Sequence, residues 1–218
     1  MIDLELNSSI DLKREGKSFY WASFFLPKNS KKNAGILYSI CRYFDDIADK
    51  NSEDQTNYLK SSIEEIKNNK NNKINVFLKK NKIKNSIFID LIEGLILDQK
   101  KIRIQNKEEL IKYSYHVAGT VGLMMSKIIG VKHKNASKSA IDLGIGMQLT
   151  NIARDVYEDS KIKRIYLPSN WIPNISLKNL NDVHEFSSEN DIKISNAINK
   201  LINLSEKFYI NGFAGLKY

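Results

Sequence analysis

Apolar residues recur along most of this chain at intervals of three and four, the period of a helix that buries one face. Over residues 31–50 the stripe is Ile36, Leu37, Ile40, Tyr43, Phe44 and Ile47. Residues 52–68 repeat the pattern, with Ser52 placed as an N-cap and acids close behind it. Residues 69–72 form a polar break. Further helices are predicted over 85–101, 107–130 and 135–160, with a short link at 103–106 and a loop over 161–173. Residues 177–218 read as two more helical stretches that separate near Asn190. Ahead of all these lies an aromatic segment, SFYWASFFL, stopped by Pro27. Nothing alternates with the two-residue period of a strand. The expectation is an all-α fold in a single domain over 1–218, its helices packed around a central cavity.

Small residues sharpen that expectation. Ala118, Gly119, Thr120 and Gly122 fall inside a predicted helix, where each Gly costs roughly 1 kcal/mol relative to Ala. Close approach of a neighbouring helix or a ligand accounts for them.

Composition excludes several classes. At 218 residues with 42% hydrophobic content the chain suits one domain. Its 10 Gly and 3 Pro fit helices better than strands and turns. Cys41 is the single cysteine, so no intrachain disulfide forms and a reducing, cytoplasmic setting is expected. The opening MIDLELNSSIDLKREG lacks the build of a signal peptide. The longest apolar run, 117–131, contains Lys127 and falls short of the ~20 residues that span a bilayer. Net charge is +9. The lysines are scattered among Asn and Ile on solvated faces, so no nucleic-acid partner is expected. Peripheral attachment to the inner face of a membrane fits the charge better.

Candidate chemistry sits in two aspartate pairs of equal spacing, Asp45 with Asp49 in CRYFDDIAD and Asp155 with Asp159 in QLTNIARDVYED. Residues four apart share a helix face. Two such helices facing each other would gather four carboxylates in an apolar cleft, where like charge and burial resist ionisation. Divalent cations relieve that cost. Mg²⁺ suits the pattern, since it takes one or two carboxylates together with water and phosphate oxygens; Mn²⁺ is the second choice. Gln148 and Asn151 extend the second pair into a ladder. Arg42, one turn before Asp45, reads either as a weak helix ion pair or as a diphosphate ligand. Arg154 reads as structural. Arg164 and Tyr166, in RIYLP, read as a closing loop or as an ordinary polar one. His116, His133 and His184 lack metal-ligand spacing, and no Walker or dinucleotide fingerprint is present.

The segments SFYWASFFLP, YSICRYFDDIAD, YSYHVAGTVG and GMQLTNIARDVYEDSKIKRIYLP, in that order and spacing, resemble the squalene/phytoene synthases, the head-to-head prenyltransferases. The resemblance implies the isoprenoid-synthase fold. It implies that Asp45, Asp49, Asp155 and Asp159 are catalytic and hold Mg²⁺, with Asp46 a secondary candidate. It places Arg42, Gln148, Asn151 and Tyr166 beside the diphosphates, and Ser18, Phe19, Tyr38, Tyr113, Val117 and Gly122 along the substrate channel.

The implied reaction condenses two prenyl diphosphates through a cyclopropylcarbinyl diphosphate in a dry cavity. The small residues Ser23 and Gly35 and the wording NIARDVYED–RIYLP favour two geranylgeranyl diphosphates and phytoene, in carotenoid biosynthesis, with no NADPH expected. The alternative is a farnesyl-diphosphate enzyme making dehydrosqualene or squalene. A third reading is a non-catalytic isoprenoid-binding homologue. It arises because the chain stops at NGFAGLKY, where members of the resembled family continue through further helices. Exposed apolar surface and self-association are expected on that open side.

Overall fold

A computed structural model of the chain describes residues 13, 16–50, 52–69, 72–99, 103–176, 180 and 188–218. Among them the regular elements are helical, and the sole bridge-type pairing is between Arg103 and Ile165. The helices are α1 (Lys17–Ala22), α2 (Lys28–Asp49), α3 (Glu53–Lys67), α4 (Lys73–Lys80), α5 (Asn85–Asp98), α6 (Lys107–Ser114), α7 (Thr120–Ile128), α8 (Lys134–Arg154), α9 (Val156–Lys161) and α10 (Ser188–Phe213). None of the described helices is long and apolar enough to cross a membrane.

Caps fix where several of these begin. The Ser52 side chain accepts from the Gln55 amide at 3.3 Å, as its position implies. Asn72 does the same for Asn75 at 2.8 Å, starting α4, a helix absent from the sequence reading because its eight residues give little periodicity. Asn106 caps α6 through the Glu109 amide at 2.9 Å, while the Glu109 carboxylate accepts from the Gln105 amide at 2.8 Å.

Two predicted helices prove to be composite. The stretch expected over 107–130 contains a π turn at Tyr115–Gly119 between α6 and α7. Thr120 donates its hydroxyl to the His116 carbonyl at 2.7 Å there, and Gly119 fits against Ile141 and Ile145. The stretch expected over 135–160 breaks at Asp155, whose φ of −103° and ψ of 16° leave the helical region. The amide bonds Asp155 to Asn151 and Asp159 to Asp155, at 2.9 and 2.8 Å, carry the i to i−4 pattern across the break. The second of the two stretches expected to separate near Asn190 begins at Ser188, with Asn190 in the first turn of α10. Of the stretch before α10, residues 177–179 and 181–187 lie outside the described residues.

The helices bury two separate apolar cores. One gathers Leu37, Ile40, Phe44, Leu59, Ile74, Phe88 and Met124 from α2 to α5 and α7. The other gathers Leu110, Tyr113, Leu149, Ile152, Leu167 and Leu201 from α6, α8, the loop after α9, and α10. They meet where α7 lies on α8. A Cβ at Gly122 would strike the Ala140 carbonyl oxygen, and one at Gly144 the Ala118 carbonyl oxygen. The two backbones therefore touch directly, which is the reason for the small residues. The loop after α9 is tied to the segment before α6 by Ser169 N to Ile104 O at 2.8 Å, within the second core.

Candidate active site

The two aspartate pairs stand on opposite sides of that seam. Asp45 and Asp49 lie at the C-terminal end of α2; Asp155 and Asp159 lie at and after the end of α8. The first pair rests on the first core through Phe44, Ile47 and Ala48, the second on the other core through Ile152. A cation bridges the gap. Arg164, from the loop after α9 and largely buried, reaches across to place Nη2 3.1 Å from Asp49 Oδ1. The same guanidinium acts electrostatically on Asp98 and Asp159.

Asp98 closes α5 and is the residue that the sequence reading missed. Its Oδ2 accepts from the Tyr113 hydroxyl and its Oδ1 from the Tyr166 hydroxyl, each at 2.9 Å. The two phenols stack with centroids 5.0 Å apart. Burial raises Asp98 above the usual carboxylate range, opposed by Arg164 and by both tyrosines. Burial likewise pushes both phenols up, with the Asp98 charge adding to it. The available signal was a lone carboxylate ending an apolar run, GLILD; a buried charge of that kind needs partners.

The carboxylates carry strained electrostatics. Burial, then Asp49, raises Asp45 to about 6, with Arg42 opposing. Burial, then Asp155, raises Asp159 to about 6, with Arg164 opposing. Asp98 adds to both shifts, as expected for pairs that approach one region. Arg42 forks between Asp45 at 3.1 Å and Asp46 at 2.8 Å. Arg154, read from sequence as structural, grips Asp155 through Nε at 2.5 Å and Nη2 at 2.6 Å. The break at Asp155 turns that carboxylate toward its neighbour.

The remaining predicted residues divide. Tyr113 and Tyr166 belong to the Asp98 cluster. Tyr38 sits half-buried one turn before Arg42 on α2, and Gln148 half-buried with Asn151 exposed on the last turns of α8. Val117 lies in the π turn, packed against the second core and against Gly94. Gly122 faces α8, so it contributes by letting the seam close. Ser18 and Phe19 are exposed on α1, and no hydrogen bond or ion pair among the described residues ties them to the carboxylates.

No three His, Cys, Asp or Glu side chains among the described residues form a ready metal cage. The donor set fits a cation that needs less: one or two carboxylates from each wall, the rest from water and phosphate. A cleft of about 10 Å³, lined by Ile152, Val156, Asp159, Arg164, Tyr166 and Leu180, adjoins the carboxylates. That volume is about one water. The arrangement puts arginines on both walls beside half-buried carboxylates, a donor set whose charges suit a polyanion together with a divalent ion.

Known proteins share this architecture. The family model for squalene/phytoene synthase matches residues 12–218. The 15-cis-phytoene synthase of Pantoea ananas is 28% identical over 97% of this chain and 74% of its own length. That of Enterobacter agglomerans is 31% identical over 92% and 73%. The chain thus spans about three quarters of these two relatives. A solved structure of a dehydrosqualene synthase in complex with ligand superposes with a TM-score of 0.83 at 26% identity, covering 96% of this chain and 76% of the other. The squalene synthase HpnC from Alicyclobacillus acidocaldarius, at 18% identity and a TM-score of 0.67 over 92% and 87%, shares the fold.

Proposed function

This chain belongs to the squalene/phytoene synthase family, and on that premise we propose that it joins two geranylgeranyl diphosphates head to head to give phytoene. Family membership makes it a prenyltransferase. The observation that carries the reading further is the gathering of Asp49, Asp98 and Asp159 around the Arg164 guanidinium, with Asp45 beside Asp49.

Mg²⁺, held by Asp45 and Asp49 on one wall and Asp155 and Asp159 on the other, would polarise the leaving diphosphate and neutralise its developing charge. Mn²⁺ could fill the same role. Arg42 and Arg164 already stand among the carboxylates, and their planar forks suit diphosphate oxygens. Arg164 also screens the two walls from each other. Tyr113 and Tyr166, anchored on Asp98, fix the floor of the site. The aromatic faces nearby favour an allylic cation and keep water from it.

The bonds balance without a reductant. The C–O bond of one allylic diphosphate breaks, releasing diphosphate. The double bond of the second attacks the cation, and loss of a proton closes the cyclopropylcarbinyl diphosphate. A second C–O cleavage releases the second diphosphate, and rearrangement with loss of another proton leaves the hydrocarbon. NADPH has no part in this balance.

Chain length favours the longer substrate on two counts. Ser23 is buried, its hydroxyl donating to the Tyr20 carbonyl at 2.6 Å, and Gly35 is buried on α2. Small side chains at these two positions would leave room for a longer prenyl tail if they face the channel. The similarity to a dehydrosqualene synthase structure supports a second reading, a farnesyl-diphosphate substrate. A hydrocarbon product fits a cytoplasmic chain held peripherally at the membrane.

Incubation of the purified chain with Mg²⁺ and either geranylgeranyl or farnesyl diphosphate, with mass spectrometry of the organic extract, tests the reading. Phytoene from the longer substrate is expected. Product from farnesyl diphosphate alone moves the assignment to the second reading, and no product from a folded chain overturns both.

A further inference from the structure

Two acid-free stretches of the chain meet at one edge of the fold. No Asp or Glu occurs between Gly16 and Phe44, nor between Leu110 and Ile141. The Ser30 hydroxyl donates to the Ile128 carbonyl at 3.2 Å, which joins the start of α2 to the end of α7. Lys28 and Lys32 are exposed on the first side, Lys132, Lys134 and Lys138 on the second.

Large apolar groups stand among these lysines. Trp21 is 69% exposed and Phe25 92%, with Ile129 at 48% across the Ser30 contact. Tyr20, Trp21 and Phe24 pack edge to edge, with Tyr20 and Phe24 centroids 5.1 Å apart. The Lys31 ammonium lies 3.4 Å over the Phe24 ring. The rings thus cover one another and a lysine stem, and leave their outer faces to solvent.

We propose that this edge, residues 17–32 with residues 129–138, docks on an anionic phospholipid bilayer. It gives the peripheral location put forward above a definite surface, and rests on that reading. Aromatic rings settle at the depth of the headgroups, where one face is apolar and the rim wet. Lysines beside them are drawn to anionic lipid and extend their stems along the apolar boundary. A second copy of the chain would bring the same positive charge and repel. A soluble acidic protein would satisfy the lysines but gives no reason for exposed Trp21 and Phe25.

Sedimentation of the 218-residue chain with vesicles separates these cases. Binding to phosphatidylglycerol-containing vesicles is expected, falling steeply with salt, with little binding to pure phosphatidylcholine. Each lysine removed in a Lys28→Gln, Lys32→Gln, Lys132→Gln series should weaken partitioning about fivefold. Trp21→Ala and Phe25→Ala should each weaken it about tenfold. Wild-type binding by the Trp21→Ala/Phe25→Ala double variant, or no binding by the wild type, overturns the proposal. So does a wild-type oligomer in vesicle-free solution that these two changes dissolve. Turnover of detergent-dispersed substrate by the same variants is read separately. If the wild type turns over nothing yet docks, the enzymatic reading fails and the surface stands; turnover without docking is the reverse.

Discussion

Replacing Asp98 by Ala removes the acceptor that two buried phenols share. A hydrogen bond to a charged group contributes about 1.5–3 kcal/mol, and orphaning a buried donor costs on the same scale. Part of that loss returns, because the Asp98 carboxylate is itself desolvated and pushes on Asp45 and Asp159. A net destabilisation of about 2 kcal/mol is expected, or about 4–8 °C in melting temperature for a chain of this size. Asp98→Asn keeps one carbonyl for one phenol and offers its amide protons to the oxygen of the other, so its loss should be about half as large. Thermal and urea unfolding of Asp98→Ala, Tyr166→Phe and the double variant read this directly. With Asp98 gone, removing the Tyr166 hydroxyl should cost little, giving a coupling of at least about 1 kcal/mol. Additive losses, or an Asp98→Ala melting point within about 1 °C of wild type, would refute the shared-acceptor account.

Four further outcomes follow from the same geometry. Asp45→Asn or Asp155→Asn should abolish turnover while circular dichroism stays helical; turnover surviving in both removes the metal role. Ser23→Phe should shift product formation toward farnesyl diphosphate, and unchanged selectivity sinks the pocket-size argument. Gly122→Ala meets backbone rather than a movable side chain, so it should cost about 3 kcal/mol, the upper end for overpacking, and lower the melting point by about 6–12 °C. Asp45 and Asp159 sit at about 6 against an ordinary 3.8, so the folded chain retains protons that the unfolded chain has released. Their stabilising contribution is whole below the ordinary value and is lost as pH rises through about 6. The urea midpoint of the metal-free chain should therefore fall between about pH 4 and pH 6 and level off above that, and a flat profile contradicts the shifts.

Most of the fold was legible because amphipathic period is a local signal. The stripe from Ile36 to Ile47 gave α2 to within three residues at its start. The misses are those where tertiary contact overrides period. The π turn at Tyr115–Gly119 depends on α8 approaching Gly119, and the break at Asp155 leaves the spacing of the aspartates unchanged. At the site, the aspartate pairs were readable from spacing on a face. Asp98 was not, because its partners come from 15 and 68 residues away. The reach of Arg164 to Asp49 spans 115 residues, a distance that no local pattern encodes.

The glycine contact between α7 and α8 acts as a gauge. Gly122 and Gly144 set the gap between those two rods by backbone touching backbone; Tyr113 lies on α6, which leads into α7 through the π turn, and Asp155 stands at the end of α8. Side chains can change size without altering such a gap. Ser23 and Gly35, proposed above to face the prenyl tail, belong to α2 and the turn before it, outside the gauge. On that proposal, substrate length and catalytic spacing should vary independently: those positions could be re-lined for a different prenyl chain while the acidic centre keeps its dimensions.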